Sequence, residues 1–168
     1  PAQAEVMLVE RYLAGHGPAR VADFCWWSGL PAATARKAVL RAESLQPVIT
    51  GGEQLWVASD NSPDISPDPA GSALFLPPFD EYLLGYKIRD NVLDPAFVKR
   101  VNAGGGMMKP TIVVRGRVAG VWKRVRRNGR ITIAVEPFRT LSENESRGIE
   151  GAAERYSRFY NRKAELLR

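Results

Sequence analysis

Apolar and polar positions along the chain divide it into a helical stretch, a hairpin, an interruption and a second group of elements. In residues 4–14, "AEVMLVERYLA", Val6, Val9 and Leu13 recur at helical spacing, and Gly15 and Pro18 end the run. A second short helix is predicted through "ARVADFCWW" and is broken at Ser28-Gly29. Pro31 then takes a first-turn position, where its missing N–H costs nothing. In the helix that follows, Ala35, Ala38, Val39 and Ala42 form one apolar face, with Thr34, Arg36, Lys37 and Arg41 toward solvent. The β-rich runs "PVIT" and "EQLWVA", joined around Gly51-Gly52, read as a hairpin. Three helices and a hairpin in residues 1–58 are the plan of a winged helix-turn-helix domain. Trp26 and Trp27, adjacent on one short helix, cannot both face inward, so one is expected in the core and the other against a neighbouring unit.

Residues 59–72 carry three prolines and no periodicity, which predicts a linker. A second domain over 73–168 follows. "ALFL" reads as a buried strand, "PPFDEYLLGY" as a turn and a helical turn capped by Asp80, and "DPAFVKRVN" as a short helix with Pro95 at its start. The glycines at 104–106 read as a hinge into "PTIVVRGRVAGVWKRVRRNGRITIAVEPF", a three-stranded meander turning at Arg115-Gly116 and near Asn128-Gly129. A capping box, Ser142 with Glu145, opens a long closing helix with Ile149, Ala152, Tyr156 and Phe159 on one face. The fold class is therefore α+β: a winged helix followed by a small antiparallel β domain closed by a C-terminal helix.

The register of the second turn decides where the arginines lie. A two-residue Asn-Gly loop opposes Arg126 to Ile131 and Arg124 to Ile133, mixing charge with core. A three-residue loop, Arg127-Asn128-Gly129 with Gly129 left-handed, separates them instead. Val121, Val125, Ile131, Ile133 and Val135 then share one side, with Lys123 their only charge. Trp122, Arg124, Arg126, Arg130 and Thr132 make a basic plate on the other. The separated pattern is the expected one.

Charge sharpens that picture. The net charge is +6, yet Pro95 to Val135 holds ten basic residues and no Asp or Glu, while the rest of the chain holds fourteen basic against eighteen acidic. Such concentration points to an anionic partner, nucleic acid first. Arginines guarding a strand edge are the alternative, although protection needs only one or two charges. Arg124, Arg126, Arg127 and Arg130, with Trp122 and Lys123, are the candidate DNA contacts of the hairpin, and Arg36, Lys37 and Arg41 those of the third helix.

Other chemistry is sparse. Asp80 and Glu81 suit a cap or an ion pair with Lys87 or Arg89 better than acid–base work, since no His, Ser or Cys stands near them in sequence. His16 reads as structural. Cys25 is alone, which argues against disulfides and thiolate zinc and points to the cytoplasm. No phosphate-binding loop, dinucleotide fingerprint or nucleophile elbow occurs, so no cofactor, metal or catalytic residue is expected. No apolar run is long enough to span a membrane, and the opening "PAQAEVMLVERYL" reads as cut from a longer protein.

"RYLAGHGPARVADFCWWSGL", "LFLPPFDEYLLGYKIRD" and "GRVAGVWKRV" resemble the bacterial winged-helix DNA-binding family that contains alkylpurine and crosslink-unhooking DNA glycosylases. The resemblance implies tandem winged helices followed by a β-barrel-like domain, of which this chain matches the last winged helix and the C-terminal domain. It also implies a catalytic Gln-x-Gln or Gln-x-Asp motif near the N-terminus of the full protein. Here Gln3, Gln46 and Gln54 are isolated, so no catalytic residue is carried over. The expectation is a DNA-repair fragment binding double-stranded DNA, without a membrane partner. The alternatives are a transcription-regulator-type DNA-binding module or an interaction domain for an acidic protein.

Overall fold

The computed structural model describes residues 2–60, 72–127 and 130–167, apart from the side chain of Arg127. The chain forms two compact units, one from residues 1–65 and 81–88, the other from 66–80 and 89–168. None of the described helices is long and apolar enough to cross a membrane.

The first unit contains α1 (Ala2–His16), α2 (Val21–Ser28), α3 (Ala32–Arg41) and the antiparallel strands β1 (Leu45–Thr50) and β2 (Glu53–Ala58). Gly29, left-handed at φ 71°, ends α2. Ala35, Ala38 and Val39 of α3 are buried as their spacing predicts, together with Val9, Leu13 and Phe24. Tyr12, which the spacing argument did not place, is also fully buried. The segment between α1 and α2 joins the hairpin, because Ala19 and Trp56 exchange backbone hydrogen bonds of 3.0 and 2.8 Å.

Residues 81–88, including α4 (Glu81–Leu84), complete this unit. The buried Asp23 carboxylate is their anchor. Its Oδ1 accepts from the amides of Lys87 (2.9 Å) and Ile88 (3.4 Å), and its Oδ2 from that of Arg20 (3.0 Å). The Tyr12 hydroxyl donates to the Gly85 carbonyl at 2.7 Å, and the Tyr86 hydroxyl to that of His16 at 2.9 Å. Burial, with Asp23 beside it, pushes the Tyr12 phenol up, so it stays a donor at ordinary pH. His16 ends α1 with its ring stacked on Tyr12 at 4.5 Å, a packing role.

Two expectations are corrected here. Neither Trp26 nor Trp27 is buried: both indoles turn to the 81–88 segment, Trp26 donating to the Leu84 carbonyl (3.2 Å) and Trp27 to Glu81 Oε1 (2.7 Å). Glu81 accordingly serves an indole N–H and makes no ion pair with Lys87 or Arg89 among the described residues.

The second unit is built on a five-stranded sheet in the order β3 (Ala73–Leu76), β6 (Thr111–Val114), β7 (Arg117–Arg127), β8 (Arg130–Pro137), β9 (Ala164–Leu167). Between β3 and β6 lie a 3-10 turn (Pro95–Phe97), α5 (Val98–Val101) and the small hairpin of β4 (Asn102–Gly104) and β5 (Met107–Met108). The glycines at 104–106 all have positive φ and form the tight turn of that hairpin, where a hinge was expected. Every residue of β6 is buried, so the sheet is covered on both faces there. α6 (Glu143–Phe159) covers one face, with Ile149, Ala152 and Ala153 packed in a cluster with Ile112, Ile133 and Val135. The Ser142–Glu145 capping box is formed as predicted.

The closing helix is shorter than the sequence suggested. At its end, the amides of Asn161 and Arg162 bond to the carbonyls of Arg158 (3.1 Å) and Ser157 (3.0 Å), with Asn161 at φ 47°. This left-handed cap turns the chain into β9, which pairs parallel with β8. The sheet is thus mixed, and among the described residues β3 and β9 are its two edges, so it is open there where a barrel-like antiparallel domain was expected.

Candidate nucleic-acid interface

β7 and β8 pair with Arg127 opposite Arg130, Arg126 opposite Ile131, Arg124 opposite Ile133 and Trp122 opposite Val135. This is the register of a two-residue loop, the one the sequence argument set aside. Asn128 and Gly129, and with them the expected left-handed Gly129, lie outside the described residues. The separated faces fail because cover on the two faces of the ribbon ends at different points. On the α6 side Ile131, Ile133 and Val135 are buried, while Arg126 and Arg124, paired across from Ile131 and Ile133, are exposed. On the other side Val121 is buried but Val125 is 42% exposed.

The result is a ribbon with cations on both faces in place of a one-sided plate. Arg124 and Arg126 share the α6 side, and Lys123 and Arg130 belong to the other, by the alternation of strand residues. All four are exposed, and among the described residues none of them makes an ion pair. β6 pairs with β7 only as far as Val121, and the Trp122 amide still bonds to the Pro110 carbonyl (3.1 Å), so beyond that point β6 no longer borders β7. β9 flanks the β7–β8 hairpin along Ile131–Ala134 of β8.

Trp122 is the stem's packing residue and not part of an exposed plate. It is half-buried, donates from Nε1 to the Leu76 carbonyl (3.0 Å), stacks on Phe75 at 5.1 Å and meets Tyr156 edge-on at 5.6 Å. Arg124 is held in place: its Nη1 donates to the Tyr156 hydroxyl (3.1 Å) and its guanidinium lies 5.5 Å from the centre of the Tyr160 ring.

In the other unit, Arg36, Lys37 and Arg41 are exposed on α3 and likewise make no ion pair among the described residues. Leu40, 76% exposed, sits between them on the same face. Beside them Arg36, Leu40, Val21, Gln54 and Trp56 line a shallow cleft of about 350 Å³. Sequence reasoning missed the aromatic end of α6. Tyr156, Phe159 and Tyr160 follow one another at spacings that put them on one side of the helix, and Phe159, expected in the core, is 82% exposed. No group of three or more His, Cys, Asp or Glu suited to a metal ion occurs among the described residues. The isolated glutamines stay apart: Gln3 on α1, Gln46 on β1 and Gln54 on β2, all exposed.

Comparison with known proteins gives this surface a context. The interstrand DNA cross-link repair glycosylase of Streptomyces sahachiroi is 28% identical over 166 residues, 94% of this chain and 43% of that protein. The solved structure of the Streptomyces sahachiroi DNA glycosylase AlkZ matches with a TM-score of 0.80 over 99% of this chain and 46% of that one, at 23% identity, a likeness of fold. The chain therefore spans less than half the length of the relatives it matches. A family model described as DNA glycosylase AlkZ-like matches residues 1–159, and the chain belongs to the AlkZ-like DNA glycosylase family.

Proposed function

We propose that this chain is a DNA-contacting part of a DNA-repair glycosylase, gripping the duplex backbone with the β7–β8 ribbon and the exposed side of α3. The observation that carries the reading is the β7–β8 hairpin with Lys123, Arg124, Arg126 and Arg130 on both faces, inside a 41-residue stretch with no carboxylate. Several delocalised cations on a stiff, narrow element suit a groove flanked by phosphates, and two-sided placement lets both walls of the groove be met at once. Arg127 belongs to the same set by sequence. Arg36, Lys37 and Arg41 supply a second contact, with α3 in the role of a recognition helix. On this reading residues 1–58 are a winged helix, 59–72 a linker and 73–168 the C-terminal domain that carries the ribbon and lends residues 81–88 to the first unit. The chain corresponds to the C-terminal part of its longer relatives and acts in the cytoplasm.

Fluorescence anisotropy with a short labelled duplex across a salt series tests this. If about four phosphates are neutralised, log affinity falls with log salt at a slope of roughly −3 to −4. Arg→Ala at 124, 126, 127 and 130 together should flatten that slope. An unchanged slope removes the ribbon from the account, and capture of an acidic protein in place of DNA favours the interaction reading.

Family membership favours a further activity for the complete protein: hydrolysis of the N-glycosidic bond of alkylated purines, with the chemistry supplied by a Gln-x-Gln or Gln-x-Asp motif outside these 168 residues. Base excision by the full-length protein, lost on changing one of those glutamines, supports it. Duplex binding without excision on every alkylated substrate counts against it and leaves a regulator-type DNA-binding module.

A further inference from the structure

Five aromatic rings run in contact from the sheet of the second unit out to solvent. Phe75 stacks on Trp122 (5.1 Å, 27° between planes), Trp122 meets Tyr156 (5.6 Å, 74°), Tyr156 meets Tyr160 (4.7 Å, 33°), and Tyr160 meets Phe159 edge-on (5.1 Å, 79°). The inner members are fixed: Trp122 by its hydrogen bond to Leu76, Tyr156 by that from Arg124. The outer members are open, Phe159 at 82% and Tyr160 at 42% exposure. With Pro77, Pro78 and Pro110, the ladder lines a cleft of about 470 Å³ in which Arg124 is the one charged residue among the described lining residues. The volume falls within the roughly 300–1,000 Å³ of small-molecule sites, and rings and prolines are the surfaces that grip flat heteroaromatic groups.

Phe159 is left bare at a helix end, and a solvent-facing aromatic beside exposed cations is an arrangement by which proteins hold unstacked bases. Among the described residues no carboxylate, imidazole or thiol lines the cleft. We propose that this cleft stacks one unpaired nucleobase of an interrupted DNA duplex, with Phe159 and Tyr160 against the ring face and Arg124 and Arg126 on the flanking phosphates. The inference rests on the DNA-contact reading above, and it gives the ribbon a partner surface: the strand that Arg124 holds by its phosphate passes beside the ring that Arg124 also braces. Stacking on an aromatic is worth roughly 1–3 kcal/mol per base, which is about a fivefold preference at the lower end.

The test compares three probes on the full chain: a paired duplex, the same duplex with a single bulged 2-aminopurine, and free deoxyadenosine monophosphate. Anisotropy gives affinity and 2-aminopurine fluorescence reports stacking. The bulged duplex should bind at least about fivefold tighter than the paired one, with its fluorescence quenched on binding. Phe159→Ala should abolish the preference and the quenching while leaving paired-duplex affinity and its salt slope unchanged, and Phe159→Trp should restore both. Equal affinity for the two duplexes, or a preference that survives Phe159→Ala, overturns the inference and leaves the ribbon reading standing. Binding of the free nucleotide with no preference for the bulge overturns it in favour of a small-molecule site, and failure to bind either duplex overturns both readings together.

Discussion

Removing the Asp23 carboxylate should release the 81–88 segment. Asp23 is fully buried and faces the amides of Arg20 and Lys87 at 3.0 and 2.9 Å, with Ile88 more distant at 3.4 Å. In Asp23→Ala the two close donors lose a charged acceptor, and each unmet buried donor costs about 1–3 kcal/mol. The Lys87 and Ile88 side chains are exposed, so water reaches part of the vacated backbone, and the sum settles near the lower end, about 3 kcal/mol. For a cooperative unit of this size that lowers the melting midpoint by roughly 12 °C or more. Asp23→Asn keeps one carbonyl oxygen but turns an NH2 toward the remaining donors, and should cost about half as much. Calorimetry on the wild type and both variants gives the midpoints, and amide hydrogen exchange at Lys87 and Ile88 locates the effect. A midpoint for Asp23→Ala that matches the wild type, with those amides still slow to exchange, would refute the reasoning.

Three further outcomes are expected. Gly85→Ala should destabilise the first unit by about 1–3 kcal/mol in denaturant titration, because its Cβ would lie 2.6 Å from Cδ2 of the packed His16 ring. The Glu145 carboxyl, held down to about 2 by the Arg139 guanidinium and the Ser142 amide, contributes stability that is complete above its unfolded value of about 4.3 and is lost as pH falls toward 2. Glu145→Gln should flatten the acid limb of a melting-temperature series in that window. Ser142→Ala, which removes the hydroxyl accepting from the Glu145 amide, should cost about 1 kcal/mol by the same titration.

Local signals in the sequence were reliable where one face decided the outcome. The α3 face of Ala35, Ala38 and Val39, the Gly51-Gly52 turn and the Ser142 capping box all follow from spacing and turn chemistry alone. The ribbon register was not legible, since alternation alone puts charged and buried residues on opposite faces. Arg124 shares a face with buried Ile133 by setting its guanidinium against the Tyr156 hydroxyl and the Tyr160 ring, which depends on a helix end far away in sequence. β9 was hidden for a related reason: parallel pairing with β8 leaves no local turn to read, and Asn161, the left-handed cap that stops α6, was its one trace. Asp23 was unreadable because its donors at 87 and 88 lie over 60 residues away. Of the candidate interface, the hairpin and α3 cations were visible as composition, whereas the aromatic cleft needed Phe75, Trp122 and Tyr156 brought together from three separate elements.

The route of the backbone has a consequence for how the protein is made. The polypeptide leaves the first unit beyond β2, lays down β3 of the second, returns for residues 81–88 and departs again. A growing chain emerging from the ribosome therefore cannot seal its first unit when β2 is complete: Asp23, Tyr12 and the two indoles wait until Ile88 has been added. Synthesis at about 5–20 residues per second makes that pause several seconds at the slower rate. During it Trp26, Trp27 and the Asp23 carboxylate are uncovered, which makes this interval, before any of the basic ribbon exists, the one in which a nascent chain is open to chaperones or to aggregation.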